Sequence, residues 1–305
     1  MRGCPVPLGQ VEAWLAARGH RSPLEPLPGE ACVNWVAAAD DVVVRVCKLP
    51  GDPDARTESV AVPVVLAAGV RTPRLLDMDE SHSVIEATVT LYERWPGVAM
   101  GTVSPNEVSL PETYRELGRE LGLLHEHVVE CPDPRGWLDE AEESDAPGQL
   151  AAAIAEHRID EPNGLWLARW IERLRPALAG EARPKFLHND AHSFNTMVMP
   201  DGTYSGILDW GDAGWGDPAF EFHTLPLWAV PWALAGYREA GAVTDPSFCG
   251  RVLWHILNQA LDWERRHEEP GPEPWSPTST SLHLNLARLL ASRPDQEWQA
   301  WLPQD

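Results

Sequence analysis

The sequence predicts an α+β chain in two lobes: a small β-sheet lobe with one helix over residues 1–95, and a larger, mostly helical lobe over residues 96–305. Three observations carry this expectation. Two β-prone runs, residues 31–38 and 42–49, flank the polar turn Ala39-Asp40-Asp41 and read as a hairpin. A helical pattern over 54–68 and two further β-prone segments follow, and the series stops at Trp95-Pro96-Gly97. Beyond Pro111 the apolar spacing changes to steps of three and four, as in Tyr114, Leu117, Leu121, Leu124 and Val128.

Taken in order, Val11, Trp14 and Leu15 share one face of a short helix over 10–19 that Gly19 stops. Pro23, Pro26 and Pro28 make a stiff link to the hairpin. Pro63 must kink the 54–68 helix or sit in its first turn. Strands are expected at 73–77 and 83–93. In the second lobe Gly118 and Gly122 are poor helix formers, tolerable where another helix packs closely. Residues 130–161 carry ten acidic side chains against two basic ones, Arg135 and Arg158, and read as a solvated, partly helical insertion. Leu167, Trp170, Ile171, Leu174 and Leu178 mark a helix ending near Pro176, and residues 225–240, 247–266 and 279–292 complete the helical set.

Composition narrows the function classes. The chain has 305 residues, enough for a substantial core, with 24 basic against 46 acidic side chains and a formal net charge of −22. Such a surface repels phosphate backbones and anionic lipids, which argues against nucleic-acid and membrane partners and favours a cationic small molecule. The five cysteines are scattered and never spaced C-x-x-C, as in a reduced, cytoplasmic protein. No charged-then-apolar leader opens the sequence, and the most apolar stretch, Thr224 to Ala235, is too short to span a bilayer. Twelve of the fifteen tryptophans lie at or beyond Trp137; most are expected in the core, with Trp228, Trp232, Trp263 and Trp275 as candidates for lining a pocket.

The chemistry concentrates in residues 187–218. His188-Asn189-Asp190 is followed after four residues by Asn195, and Asp209 ends the apolar run Gly206-Ile207-Leu208. Phosphoryl transfer from a nucleotide needs a carboxylate to orient the attacking hydroxyl and oxygen ligands to hold Mg²⁺ on the phosphates. Asp190 suits the first need. Asn195 and Asp209 suit the second, with an oxygen-only donor set that matches Mg²⁺ better than zinc.

With its spacing, this block resembles the aminoglycoside phosphotransferase family, relatives of the protein kinases on the same two-lobed fold. The matching residues are His188, Asp190 and Asn195, then Leu208-Asp209-Trp210, then Gly216-Asp217-Pro218. The resemblance implies Asp190 as catalytic base, Asn195 and Asp209 as magnesium ligands, and His188 and Asp217 as structural props. It implies ATP or GTP as co-substrate. It also nominates Arg45 in VVVRV (42–46) to touch the α- and β-phosphates, Glu58 to pair with it, and Glu93 and Trp95 in LYERWPG (91–97) at the hinge where backbone groups hold adenine.

Three departures from the family pattern stand out. Asn189 replaces the usual glycine and should tolerate left-handed backbone. Glu221 stands where the family has aspartate, with little effect expected. A glycine-rich phosphate loop is missing, with only Gly29 near its place. The expected activity is therefore an ATP- or GTP-dependent O-phosphotransferase acting on a small molecule, an antibiotic by the family resemblance. Competing readings are a metabolic kinase for choline, an amino sugar or an amino alcohol, a catalytically silent kinase-like binding protein, and a hydrolase with a metal on His188, Asp190 and His192.

Overall fold

In the computed structural model the described residues are 4–27, 34–48, 53–104, 108–140, 144–180, 182–266, 282–292 and 296–303. Gly29, Cys32 and Trp275 lie outside them.

The first part of the chain is built on strand alternation. Helix α1 (Leu8–Ala17) precedes strands β1 (Glu25–Pro26), β2 (Asn34–Ala39) and β3 (Val42–Cys47). The expected hairpin is β2–β3, turned at Asp40, whose φ of 54° is left-handed. Helix α2 (Pro53–Ala67), β4 (Leu75–Asp79) and β5 (Val89–Glu93) follow, giving an antiparallel sheet of order β1-β2-β3-β5-β4. Val42, Val44 and Val46 point from one face of β3 into a small core with Leu91 of β5, which Val11, Trp14 and Leu15 of α1 complete. Pro63 is not in the first turn of α2 but well inside it. The apolar face of α2, formed by Ala61, Val62 and Val65, joins the larger core of the second lobe. The strand expected over 83–93 begins only at Val89, which pairs with Asp79 at the end of β4; past that pair the chain turns, with Asp79 accepting the Ser81 N–H and hydroxyl.

The second part contains β6 (Val98–Ala99), α3 (Leu110–His127), β7 (Asp139–Glu140), α4 (Ala146–Ala155) and α5 (Glu161–Leu174). Then come β8 (Lys185–Leu187), β9 (Thr196–Val198), β10 (Tyr204–Ile207) and β11 (Gly214–Gly216). Helices α6 (Val230–Glu239), α7 (Phe248–Arg266), α8 (Leu282–Ala291) and α9 (Gln296–Gln299) end the chain. Two three-stranded sheets, β10-β9-β6 and β7-β11-β8, carry the loops between the helices. The acidic insertion is partly helical, as expected: Asp145 and Asp160 cap α4 and α5 by accepting the Gly148 and Asn163 N–H groups.

The two glycines of α3 sit where α6 crosses it. A Cβ on Gly118 would stand 1.8 Å from Ala233 O, and one on Gly122 would stand 2.7 Å from Tyr237 O. The low helix propensity there is offset by a backbone-to-backbone approach that no side chain permits. Among the described residues no helix is long and apolar enough to cross a membrane, and no disulfide joins Cys4, Cys47, Cys131 and Cys249.

Candidate active site

Strand β8 ends at Leu187 and delivers His188-Asn189-Asp190 into a loop whose shape is set from below. The Glu221 carboxylate, fully buried, accepts the His188 N–H at 2.8 Å and the Asn189 N–H at 3.2 Å. His125 of α3 donates to the same carboxylate from Nε2 at 3.1 Å, and its Nδ1 meets the Tyr237 hydroxyl at 2.8 Å. Glu221, the glutamate standing in place of the family's aspartate, thus anchors two consecutive backbone N–H groups of the loop. Asn189 has φ 67°, the left-handed conformation foreseen for it, and its side-chain amide donates to Asp212 O at 2.7 Å.

His188 is buried and committed at both ring nitrogens. Its Nδ1 accepts the Asp190 N–H at 3.1 Å, so Nε2 carries the proton and donates to Leu208 O at 2.9 Å. Its ring packs on Trp210 at 4.4 Å between centroids. With both nitrogens engaged, His188 cannot ligate a metal beside Asp190 and His192, and the hydrolase reading loses its first ligand. Burial also lowers its pKa.

Asp190 Oδ2 receives the Asn195 side-chain amide at 2.8 Å, and Asp190 O receives it at 2.9 Å. Desolvation, then the charges of Asp212 and Asp209, push the Asp190 carboxyl well above the usual carboxylate range. Leu208 N–H donates to Asn195 O at 2.8 Å, which ties the base loop to the strand carrying Asp209. Asp209 itself has φ 68°, a conformation that costs a residue with a Cβ about 1–3 kcal/mol and is concentrated at functional sites. Its carboxylate is 43% exposed and lies 3.3 Å from Arg45 Nη2.

Arg45 reaches the site from β3, on the face opposite the small core. Its Nη1 binds both oxygens of Glu58 on α2, at 2.9 and 3.1 Å. Glu58 is buried and also accepts the Tyr92 hydroxyl and, at 3.2 Å, the Trp210 N–H. Burial pushes the Glu58 carboxyl up to about 7 against the pull of Arg45, with Asp209 adding to the rise. A chain Glu58–Arg45–Asp209 thus spans the two lobes. A second link lies beside it: a Cβ on Gly211 would meet Asp54 Cβ at 2.6 Å, and the Asp54 charge adds to the rise at Asp190.

The remaining nominated residues sit farther out. Asp217 accepts the Ala219 N–H at 3.0 Å and Arg251 Nε at 2.8 Å, and it lies 3.5 Å from His255 Nε2. Its contacts are with the α7 side of the lobe. The Glu93 N–H is spent on Arg74 O at 3.0 Å, while Trp95 Nε1 is buried without a partner among the described residues. Trp228 packs edge-on to Tyr114 and Trp232, at 5.8 and 5.7 Å, as part of the core. Sequence reasoning missed Glu221, Tyr92, Asp54 and Asp212. The only available signal was the family position of Glu221 and the repeated Asp in ILDWGD.

The donor set fits a hard divalent cation. Asp190, Asp209 and Asp212 crowd negative charge into a desolvated loop, and the Asn195 amide nitrogen is turned to Asp190, so that its carbonyl oxygen is the atom suited to a cation. Among the described residues no group of three or more His, Cys, Asp or Glu is arranged to hold a metal ion by itself.

The phosphotransferase enzyme family model matches residues 32–246, and the chain belongs to that family. The resemblance drawn from His188 to Pro218 holds. The GDP complex of wild-type aminoglycoside 2'-phosphotransferase-IIIa superposes with a TM-score of 0.61 over 93% of this chain and 98% of that one, at 15% identity. A choline/ethanolamine kinase family protein from Mesorhizobium loti gives 0.60 over 96% and 97%, at 20% identity. The macrolide 2'-phosphotransferase of Brachybacterium faecium gives 0.54 over 98% of both chains, at 18% identity. At these identities the likeness is one of fold, the two-lobed kinase-like α+β architecture. No curated protein matches the sequence significantly.

Proposed function

We propose that this phosphotransferase moves the γ-phosphate of ATP or GTP to a hydroxyl of a small molecule, an antibiotic, with residues 1–95 gripping the nucleotide and residues 96–305 supplying the base and the acceptor site. The observation that carries the reading is the meeting of Arg45, Glu58 and Asp209 from two lobes beside an Asp190 that Asn195 orients. Asp190 takes the proton of the attacking hydroxyl as its oxygen bonds to the γ-phosphorus and the bond from that phosphorus to the β-phosphate oxygen breaks, releasing ADP or GDP. Arg45, held by Glu58, binds the α- and β-phosphates. Asn195 and Asp209 would hold Mg²⁺, which would supply positive charge against the phosphates. The hinge around Glu93 and Trp95 takes the base. His188 and Asp217 support the loops.

The net charge of −22 favours a cationic acceptor, and the choline/ethanolamine kinase likeness keeps a small amino alcohol as the second reading. Mg²⁺-dependent nucleotide turnover against a panel of hydroxylated antibiotics, choline and amino sugars separates the two. Turnover stimulated by none of them would refute both. The cytoplasm, where nucleoside triphosphates are plentiful, is the compartment this activity requires.

A further inference from the structure

Helix α2 carries two neighbouring buried side chains that engage different parts of the molecule. Glu58 faces the site, where it binds Arg45 Nη1 through both oxygens, at 2.9 and 3.1 Å, and accepts the Tyr92 hydroxyl and the Trp210 N–H. Thr57 turns to the segment between α3 and α4, and its hydroxyl meets Trp137 O at 2.7 Å. The same hydroxyl lies 3.3 Å from Pro53 O, four residues back in its own helix. A threonine inside a helix commonly bonds that i−4 carbonyl. With one proton to donate, this one is spent on the nearer oxygen, which belongs to a distant segment. Cys131 adds a second contact, its Sγ donating to Val60 O of α2 at 3.5 Å. Residues 131–140 are themselves tied down. Asp133 Oδ2 accepts the Leu138 N–H at 2.9 Å, closing a turn in which the Arg135 guanidinium lies over the Trp137 ring at 4.7 Å. The end of the segment, β7, pairs with β11, Asp139 opposite Gly214 and Glu140 opposite Trp215. One strap of the second lobe therefore runs from the helix that carries Glu58 to the strand just beyond Asp209 and Asp212.

Resting on the phosphotransferase reading above, in which Arg45 binds the α- and β-phosphates, we propose that Thr57 is a positioning residue for that grip: by hydrogen-bonding the Trp137 carbonyl it ties α2 to the 131–140 strap and so holds Glu58 against Arg45. Adjacent residues of a helix lie about 1.5 Å apart along its axis and move together, so a displacement of α2 at Thr57 is a displacement at Glu58. The hydroxyl has an alternative partner. Freed from the strap it can close on Pro53 O, which gives α2 a second arrangement with no donor left unsatisfied. Because Thr57 acts through Glu58 and Arg45, its loss should appear in nucleotide affinity only while Arg45 is present.

Titration calorimetry of the full chain with Mg-ADP and Mg-GDP, which retain the α- and β-phosphates, measures the effect. Thr57→Val keeps the shape and removes the donor, and should raise Kd about 3- to 10-fold, the range for one hydrogen bond between neutral groups. Thr57→Ser, which keeps the hydroxyl, should restore most of the affinity. Asp133→Ala, which frees the Leu138 N–H, should weaken binding from the strap side. A double-mutant cycle with Arg45→Met separates positioning from general loosening of the fold. Thr57→Val should change nothing further in the Arg45→Met background, whereas an effect that bypasses Arg45 multiplies with it. Multiplying effects, parental affinity in Thr57→Val or Asp133→Ala, or a Ser variant as weak as the Val variant would overturn the positioning role and leave the phosphotransferase reading standing. Parental affinity in Arg45→Met, or a parental chain that binds neither nucleotide, would overturn that reading and the proposal together.

Discussion

Glu221→Ala removes one carboxylate and strands three buried donors: the His188 N–H, the Asn189 N–H and His125 Nε2. Each unsatisfied buried donor costs about 1–3 kcal/mol, and breaking a buried charged network costs about 3–5 kcal/mol in total after relaxation. We expect urea unfolding to show a loss in that range with an unchanged slope. Turnover should fall as well, because the left-handed backbone of Asn189 loses the anchor that keeps Asp190 in place. Glu221→Asp, the residue usual in the family, pulls the carboxylate back by about one C–C bond, ~1.5 Å, and should lose part of the same contacts. The pH dependence has a definite sign. Burial raises the Glu221 pKa, but the hydrogen bond and charge of His125, with the His188 N–H, outweigh it and hold the carboxyl below its ordinary value. Its contribution to stability is therefore present above the unfolded value and lost as pH falls through the folded one, a dependence that Glu221→Gln should remove. An alanine variant with parental stability and turnover would refute this account of the loop.

Other expectations follow from the same geometry. Asp190 must be ionised to accept a proton, and burial with Asp212 and Asp209 raises its pKa, so kcat should fall with decreasing pH along a limb that lies above the ordinary carboxylate range. A limb at ordinary carboxylate pH in rate profiles would contradict that environment. Arg45→Met should raise the nucleotide KM about tenfold or more with a smaller change in kcat, and Arg45→Lys should rescue it poorly because one ammonium cannot reproduce contacts to Glu58 and Asp209 together. Chelation of divalent cations should abolish turnover, and Asp209→Asn should raise the Mg²⁺ concentration needed for half-maximal rate about tenfold or more; turnover unaffected by chelation would remove the metal assignment. Gly118→Ala forces a Cβ to within 1.8 Å of Ala233 O unless α3 and α6 separate, and should cost about 1–3 kcal/mol in thermal or urea unfolding.

Much of the fold was legible because it rests on short-range patterns. The alternation in VVVRV forecast β3, the spacing from Tyr114 to Val128 forecast α3, and both elements formed within two residues of their expected limits. The same reasoning failed at residues 83–88, where the chain turns past the Asp79–Val89 pair and Asp79 accepts the Ser81 N–H and hydroxyl. The spacing from His188 to Asp217 named the chemistry, since the base, the amide and the second aspartate are close in sequence. What it did not show was how far those residues depend on distant ones.

Residue type and interval alone determined the α+β class, the helix–strand order and the phosphotransferase family, all properties carried by neighbours along the chain. The tertiary structure alone decided that Glu221, 31 residues beyond Asp190, anchors its loop, and that Arg45 and Glu58 meet Asp209 across 164 and 151 residues of sequence. It also decided that α2 buries its apolar face in the second lobe's core and that two glycines allow α3 and α6 to touch backbone to backbone. The reason is physical. Desolvation and hydrogen-bond satisfaction depend on what surrounds a group in space, and a buried carboxylate reads in sequence like any solvated one until its partners converge on it.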